Sequence, residues 1–253
     1  MKEIEAEVKA YERWIEYIRE LTKMPKKIEI PIPWDELREN PSLAFEFFQK
    51  LYSKAGELSA KHLRTQEEIQ KFLENICKKG YGKRRCTGYV GIYVSYLVNE
   101  VYSGRKIELN LKRLPRLHFL GMYNTRKIWV LKGNVGNCVG CYMRGGKITV
   151  IGNANSYVGY HMENGEIVIV GDADWYLGML MRGGKIKVRG DAGSRVGINM
   201  EDGVIEVEGI VKGDAGTSMR GGKIIAEDIR GWVGKGMTGG AIIIRRRKLV
   251  FTY

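Results

Sequence analysis

Residues 133–208 read GNVGNCVGCYMRGGKITVI, GNANSYVGYHMENGEIVIV, GDADWYLGMLMRGGKIKVR and GDAGSRVGINMEDGVIEVE, four copies of one pattern, and two looser copies follow up to residue 244. Met143, Met162, Met181, Met200, Met219 and Met237 serve as a ruler, with a spacing of 19 residues four times and 18 once. A period this regular indicates a solenoid, in which each repeat buries its apolar face only by stacking on its neighbours.

The columns of the repeat say what one coil contains. A glycine stands three residues before each ruler Met (Gly140, Gly159, Gly178, Gly197, Gly216, Gly234) and another three after it (Gly146, Gly165, Gly184, Gly203, Gly222, Gly240). The position two after the Met holds Gly145, Asn164, Gly183, Asp202, Gly221 and Gly239. These residue types tolerate positive φ, so a tight turn is expected there. Next come Ile148, Ile167, Ile186, Ile205, Ile224 and Ile242, with Val150, Ile169, Val188, Val207, Ala226 and Ile244 two residues on. Branched residues alternating with polar ones predict a short strand with an apolar inner face. Small residues (Val135, Ala154, Ala173, Ala192, Val211) and a Val158/Leu177/Val196 column fill the rest of the interior.

The charges set the register. One residue after the Met the series runs Arg144, Glu163, Arg182, Glu201, Arg220; four after it, Lys147, Glu166, Lys185, Val204, Lys223. Coils in a parallel stack lie about 4.8 Å apart, so alternating sign pairs each Arg with a Glu on an adjacent coil and avoids like-charge repulsion. The fold class expected is mainly β: a parallel β-helix of about 19 residues per coil with an N-terminal α-helical region.

Upstream, Ile4, Val8, Tyr11, Ile15, Ile18 and Leu21 recur at steps of four and three within residues 1–24, an amphipathic helix ended near Pro25. Its stripe either packs on its own domain, the reading favoured, or docks on a partner. Residues 25–33 are expected to be extended. Residues 42–63 and 65–79 read as helices, the second opened by a capping box, Thr65 to Glu68, and stopped by Gly80. Residues 90–102 give no clear period. Ile107/Leu109 and Ile128/Val130 match the strand columns and are read as irregular first coils. The domains expected are thus a helical region or cap over 1–80, a basic junction with irregular coils over 81–132, and the β-helix over 133–253. The open ends of such a stack need covering. Residues 248–253, KLVFTY, are read as a cover for one end or a strand that pairs with another subunit.

The net charge of +13 is concentrated in one stretch: residues 111–132 carry six basic and no acidic side chains, namely Lys112, Arg113, Arg116, Arg126, Lys127 and Lys132. Smaller clusters are Lys83-Arg84-Arg85 and Arg245-Arg246-Arg247-Lys248. With Tyr123 and Trp129 nearby, this stripe is a candidate for nucleic-acid phosphates, although no RRM, KH, OB or helix-turn-helix pattern accompanies it. Solvated faces or an acidic protein partner are the favoured readings. Of four cysteines, Cys138 and Cys141 form a C-x-x-C; a thiolate metal site would need Cys77 and Cys86 as well, whose spacing is unusual for one. The same columns elsewhere hold Tyr157, Tyr176 and Arg195, or Tyr160, Met179 and Ile198, so the cysteines read as two tolerated residues among several. His62, His118 and His161 are isolated. Asp172, Asp191 and Asp214 lie beside glycines without the nine-residue period of calcium-binding β-helices, and no helix follows GNVGNCVG or GDAGSRVG as a dinucleotide site requires. No Ser/His/Asp set, paired carboxylates or P-loop is present in the sequence.

The pattern G-D/N-A-x4-G-x2-M-x-G-G-x-I-x-V over 133–244 resembles the GXGXG β-helix found as the C-terminal domain of the large subunit of glutamate synthase and as one of the subunits of formylmethanofuran dehydrogenase. The resemblance implies a right-handed β-helix that acts as a spacer or scaffold in a large redox enzyme, with the catalytic centres in other domains or subunits. The function expected is therefore a non-catalytic structural subunit or interaction module of an oxidoreductase complex, with other protein subunits or a second copy as partners. Neither catalytic residues, a metal nor a cofactor is expected of this chain, and its expected location is the cytoplasm, with no membrane span. The alternatives are a nucleic-acid-binding module using the 111–132 stripe and a Cys138/Cys141 metal-dependent enzyme.

Overall fold

The computed structural model describes residues 2–22, 41–59, 61–81 and 87–253. They form two compact units, residues 1–104 and 105–253. The stretch 25–33, expected to be extended, lies outside the described residues, as do Lys83-Arg84-Arg85 and Cys86.

The first unit is helical: α1 (Lys2–Thr22), α2 (Pro41–Leu58), α3 (Gln66–Ile76) and α4 (Thr87–Tyr96), the last continued by a wider helical turn, Leu97–Val101. Ile4, Val8, Tyr11, Ile15 and Ile18 of the α1 stripe are buried within this unit, together with Trp14. Trp14 donates its indole N–H to the Leu51 carbonyl at 3.0 Å, and the Tyr11 ring meets Tyr93 edge-on at 5.2 Å. The stripe therefore packs on its own unit. At the start of α3 the capping box is complete: Glu68 N–H donates to Thr65 Oγ1 (3.2 Å) and Thr65 N–H to Glu68 Oε2 (2.9 Å). Two orphan donors of the first turn are thereby satisfied. The helix expected to run to 63 stops at Leu58; the Ser59 hydroxyl, which donates to Glu7 and accepts from the Lys61 N–H, ends it. Residues 90–102 show no period because every residue of α4 is buried, and a helix enclosed on all sides has no polar face to set one.

The second unit is a β-solenoid. Strands β1 (Lys106–Asn110), β2 (Ile128–Lys132), β3 (Arg144–Ile151), β4 (Asn164–Ile169), β5 (Arg182–Val188), β6 (Asp202–Val211), β7 (Lys223–Ile229), β8 (Ala241–Ile244) and β9 (Leu249–Thr252) form one sheet in sequence order. Pairs from β1–β2 to β7–β8 are parallel; β8–β9 is antiparallel, so 249–252 turns back and covers the β8 edge. Ile148, Ile167, Ile186, Ile205, Ile224 and Ile242 lie in register and are fully enclosed. A second ladder, Val135, Ala154, Ala173, Ala192 and Val211, joins successive coils by parallel bridges. Among the described residues no helix is long and apolar enough to cross a membrane.

Two details differ from the sequence expectation. In β2 the inward pair is Trp129 and Leu131, which align with Ile107 and Leu109 on one side and Ile148 and Val150 on the other. Ile128 and Val130 face outward; with period-2 alternation, a one-residue slip exchanges the faces. The turn column is also displaced. Positive φ falls at the glycine three after the Met (Gly146 77°, Gly184 82°), and Gly145, Asn164, Gly183 and Asp202 are not left-handed. The glycines at that position answer instead to crowding, since a Cβ on Gly145 would run into the Thr125 carbonyl oxygen of the preceding coil.

The charge columns stack as the alternation requires. Arg144 meets Glu163 at 3.3 Å, Arg182 meets Glu201 at 3.2 Å, and Lys147 meets Glu166 at 2.7 Å. Where Val204 interrupts the lysine column, Lys185 reaches Glu206 at 3.3 Å instead. Apart from the half-buried Glu206, the side chains of these pairs are solvent-exposed, and each exposed pair contributes about 0–1 kcal/mol. Stability comes mainly from the enclosed columns.

Candidate functional site

Four successive coils, those of Phe119, Cys138, Tyr157 and Tyr176, turn their corner through two consecutive tight turns. In the coil of Cys138 the Cys141 N–H donates to the Cys138 carbonyl (3.3 Å) and the Met143 N–H to the Gly140 carbonyl (3.2 Å), with positive φ at Cys138, Gly140 and Tyr142. Tyr157, Gly159 and His161 repeat this one coil on. Non-glycine residues therefore occupy the left-handed region in two columns, and their side chains pile up along the stack. Tyr157 and Tyr176 are parallel at 4.7 Å, with the Arg195 guanidinium 5.2 Å from the Tyr176 ring centre. Tyr123, Tyr142 and His161 stack at 5.5 and 5.4 Å.

Cys138 and Cys141 lie in this corner, both free and both buried. The Cys141 Sγ donates to the Tyr157 carbonyl at 3.6 Å. Burial, and then the neighbouring Cys138 thiol, push the Cys141 thiol well above its ordinary range. Burial raises the Tyr123, Tyr142 and Tyr160 phenols in the same way. It also lowers His161 to about 4, helped by the nearby Arg182 charge. At neutral pH this corner thus presents protonated Cys141, neutral phenols and a neutral imidazole. Cys77 belongs to the helical unit, where burial pushes its thiol up to about 11. Among the described residues no three His, Cys, Asp or Glu side chains come together as a metal set.

The Asn/Asp column has a structural task. Asn153 N–H donates to Asn134 Oδ1 (2.9 Å), Asp172 N–H to Asn153 Oδ1 (3.0 Å), Asp191 N–H to Asp172 Oδ1 (2.8 Å) and Ile210 N–H to Asp191 Oδ1 (2.9 Å). Each side chain caps a backbone donor of the next coil, and the glycine before it leaves the space: a Cβ on Gly171 or Gly190 would sit on that oxygen. The bond from Ile210, and then Lys212, hold the Asp191 carboxyl below its usual range. Asp172→Ala is expected to cost about 1 kcal/mol by orphaning the Asp191 donor. Asp172→Asn should cost less than half of that, since asparagine fills the same role at 153; urea unfolding midpoints compare the two.

His118 has a comparable role. Its Nδ1 accepts the Asn137 N–H at 2.7 Å, which requires a neutral ring, and burial lowers it from 6.5 to about 4. A depressed histidine is protonated first in the unfolded chain. Stability is therefore expected to fall as pH drops from about 6.5 through about 4. An NMR titration of the ring should show a midpoint of about 4; a midpoint at the ordinary 6.5 would remove this contribution.

The basic segment is in part buried or partnered. Lys127 is 5% exposed, Lys132 pairs with Glu108, and Arg116 donates to Asn155 Oδ1 at 2.7 Å, while Lys112, Arg113 and Arg126 are exposed. In the C-terminal cluster Arg245 binds Glu206 at 2.8 Å and Arg247 binds Asp228 at 2.9 Å. The sequence reading missed Glu7, a fully buried carboxylate whose Oε1 accepts from Ser59 and Tyr93 hydroxyls, both at 2.7 Å. Its signal was available: it lies between Ile4 and Tyr11 on the apolar stripe of α1.

Among protein families, the model of the GXGXG motif matches residues 120–252. No curated protein matches the chain significantly.

Proposed function

This chain belongs to the GXGXG motif family, and on that premise we propose that it is a non-catalytic scaffold subunit of a cytoplasmic redox enzyme complex of the formylmethanofuran dehydrogenase or glutamate synthase type. The observation that carries this reading is the use of the motif residues themselves. The glycines are fixed by close approach, the ruler methionines by burial, and the Asn/Asp column by backbone donors of the next coil. The motif builds a rigid surface, and reaction chemistry belongs to the subunits it carries. Trp175 and Trp232, 55% and 69% exposed, together with Val250 of β9, 61% exposed, supply apolar surface for such contacts.

Isolation of the tagged protein from its native cells at low salt tests the proposal. The expected result is stoichiometric recovery of a second protein that carries a redox cofactor, seen by its visible absorption. Recovery of the chain alone, at any salt concentration, would contradict it. Retention on RNA or DNA that falls steeply with salt would favour the nucleic-acid reading instead.

A further inference from the structure

We propose that Cys138 and Cys141 form a redox-active dithiol, which a peroxide converts into an intramolecular disulfide. The inference is independent of the scaffold reading. The hydrogen bond from Cys141 N–H to the Cys138 carbonyl, 3.3 Å, closes a four-residue turn. Such a turn holds its end Cα atoms within about 7 Å, and disulfides span about 4.4–6.8 Å. Both side chains are buried in the same corner, where the Cys138 thiol is close enough to act on the Cys141 thiol. One coil on, the same two columns hold Tyr157 and Tyr160, whose rings meet edge-on at 6.3 Å, so these positions project into shared space.

Burial selects the oxidant. Cys138 is 4% exposed and Cys141 fully enclosed, so a disulfide of glutathione size is excluded and hydrogen peroxide, a far smaller oxidant, is taken as the reagent. The Cys138 sulfur attacks one peroxide oxygen; the O–O bond breaks, and Cys138 sulfenic acid and water form. The Cys141 sulfur then attacks the sulfenic sulfur, the S–O bond breaks, and a second water leaves with the Cys141 proton. Two thiols and one peroxide give one disulfide and two waters. The first step is slow because the thiols are buried, and the second is fast because they are aligned. The disulfide removes the Cys141 donor from the Tyr157 carbonyl, and closing so short a loop changes overall stability little.

The test treats the full-length folded protein with hydrogen peroxide at neutral pH, blocks remaining thiols with an alkylating agent, and maps peptides by mass spectrometry. The expected result is loss of two hydrogens on the peptides bearing Cys138 and Cys141, reversed by dithiothreitol, with no sulfenic acid accumulating. In Cys141→Ser the same treatment should leave Cys138 as a sulfenic acid that dimedone traps. The wild-type map decides by itself if that variant does not fold. Sulfinic acid at either cysteine without an S–S bond, or both thiols still free after peroxide treatment prolonged far beyond the time that fully oxidises an exposed model thiol, would overturn the proposal. So would a retained metal that protects the pair.

Discussion

Gly184→Ala is expected to lower stability by about 3 kcal/mol, the sum of a left-handed residue and an overpacked contact. Gly184 has φ +82°, and a Cβ there would lie 2.7 Å from Met162 Cε, 2.8 Å from the Gly165 carbonyl oxygen and 3.0 Å from the Asn164 carbonyl carbon. The methyl can move, but the backbone of the coil below cannot, because the parallel ladder on each side holds it. Guanidinium unfolding measures the loss. A change of less than about 1 kcal/mol, the cost of the left-handed residue alone, would mean that the coils are not in this contact.

Met162→Ala is the complementary case. Met162 is fully buried with its methyl beneath Gly184, so truncation leaves a cavity in a column that cannot collapse. The expected cost is about 2–5 kcal/mol. The two changes should couple: Gly184→Ala made in the Met162→Ala background should cost about 1 kcal/mol less than in the wild type, because one of its clashes has gone. Strict additivity would separate two residues that the stack places in contact. The same relation holds between Met143 and Gly165 and between Met181 and Gly203, which explains why methionine and glycine recur together.

Much of this architecture was legible because a fixed period makes each residue report on its neighbours. Isoleucines and charges repeating every 19 positions could be stacked on paper, and they stack in the structure at that register. The inward face of β2 was harder, because Ile128, Trp129, Val130 and Leu131 are all apolar and alternation carries no information there. Counting back 19 from Ile148 reaches Trp129, the residue that is enclosed. The turn column was misplaced for a related reason: glycine marks both positive φ and close approach, and only the carbonyl of the preceding coil distinguishes Gly145 from Gly146. The convergence of Cys138 and Cys141 follows from a turn that the spacing alone does not specify. Likewise, the basic stretch of 111–132 looked continuous in sequence, but the pairing of Lys132 with Glu108 and the burial of Lys127 depend on the coil path.

Paired cysteines give the most direct measurement. Side chains in one column of a parallel stack have Cα atoms about 5 Å apart, inside the disulfide range. Glu163→Cys combined with Arg182→Cys should cross-link on mild oxidation, mapped between those two peptides. Glu163→Cys combined with Lys187→Cys, which moves the second thiol along the neighbouring coil, should not. Equal cross-linking in both pairs, or none in the first, would show that residues 19 apart are not superposed and that the recurring motif does not build a stacked surface.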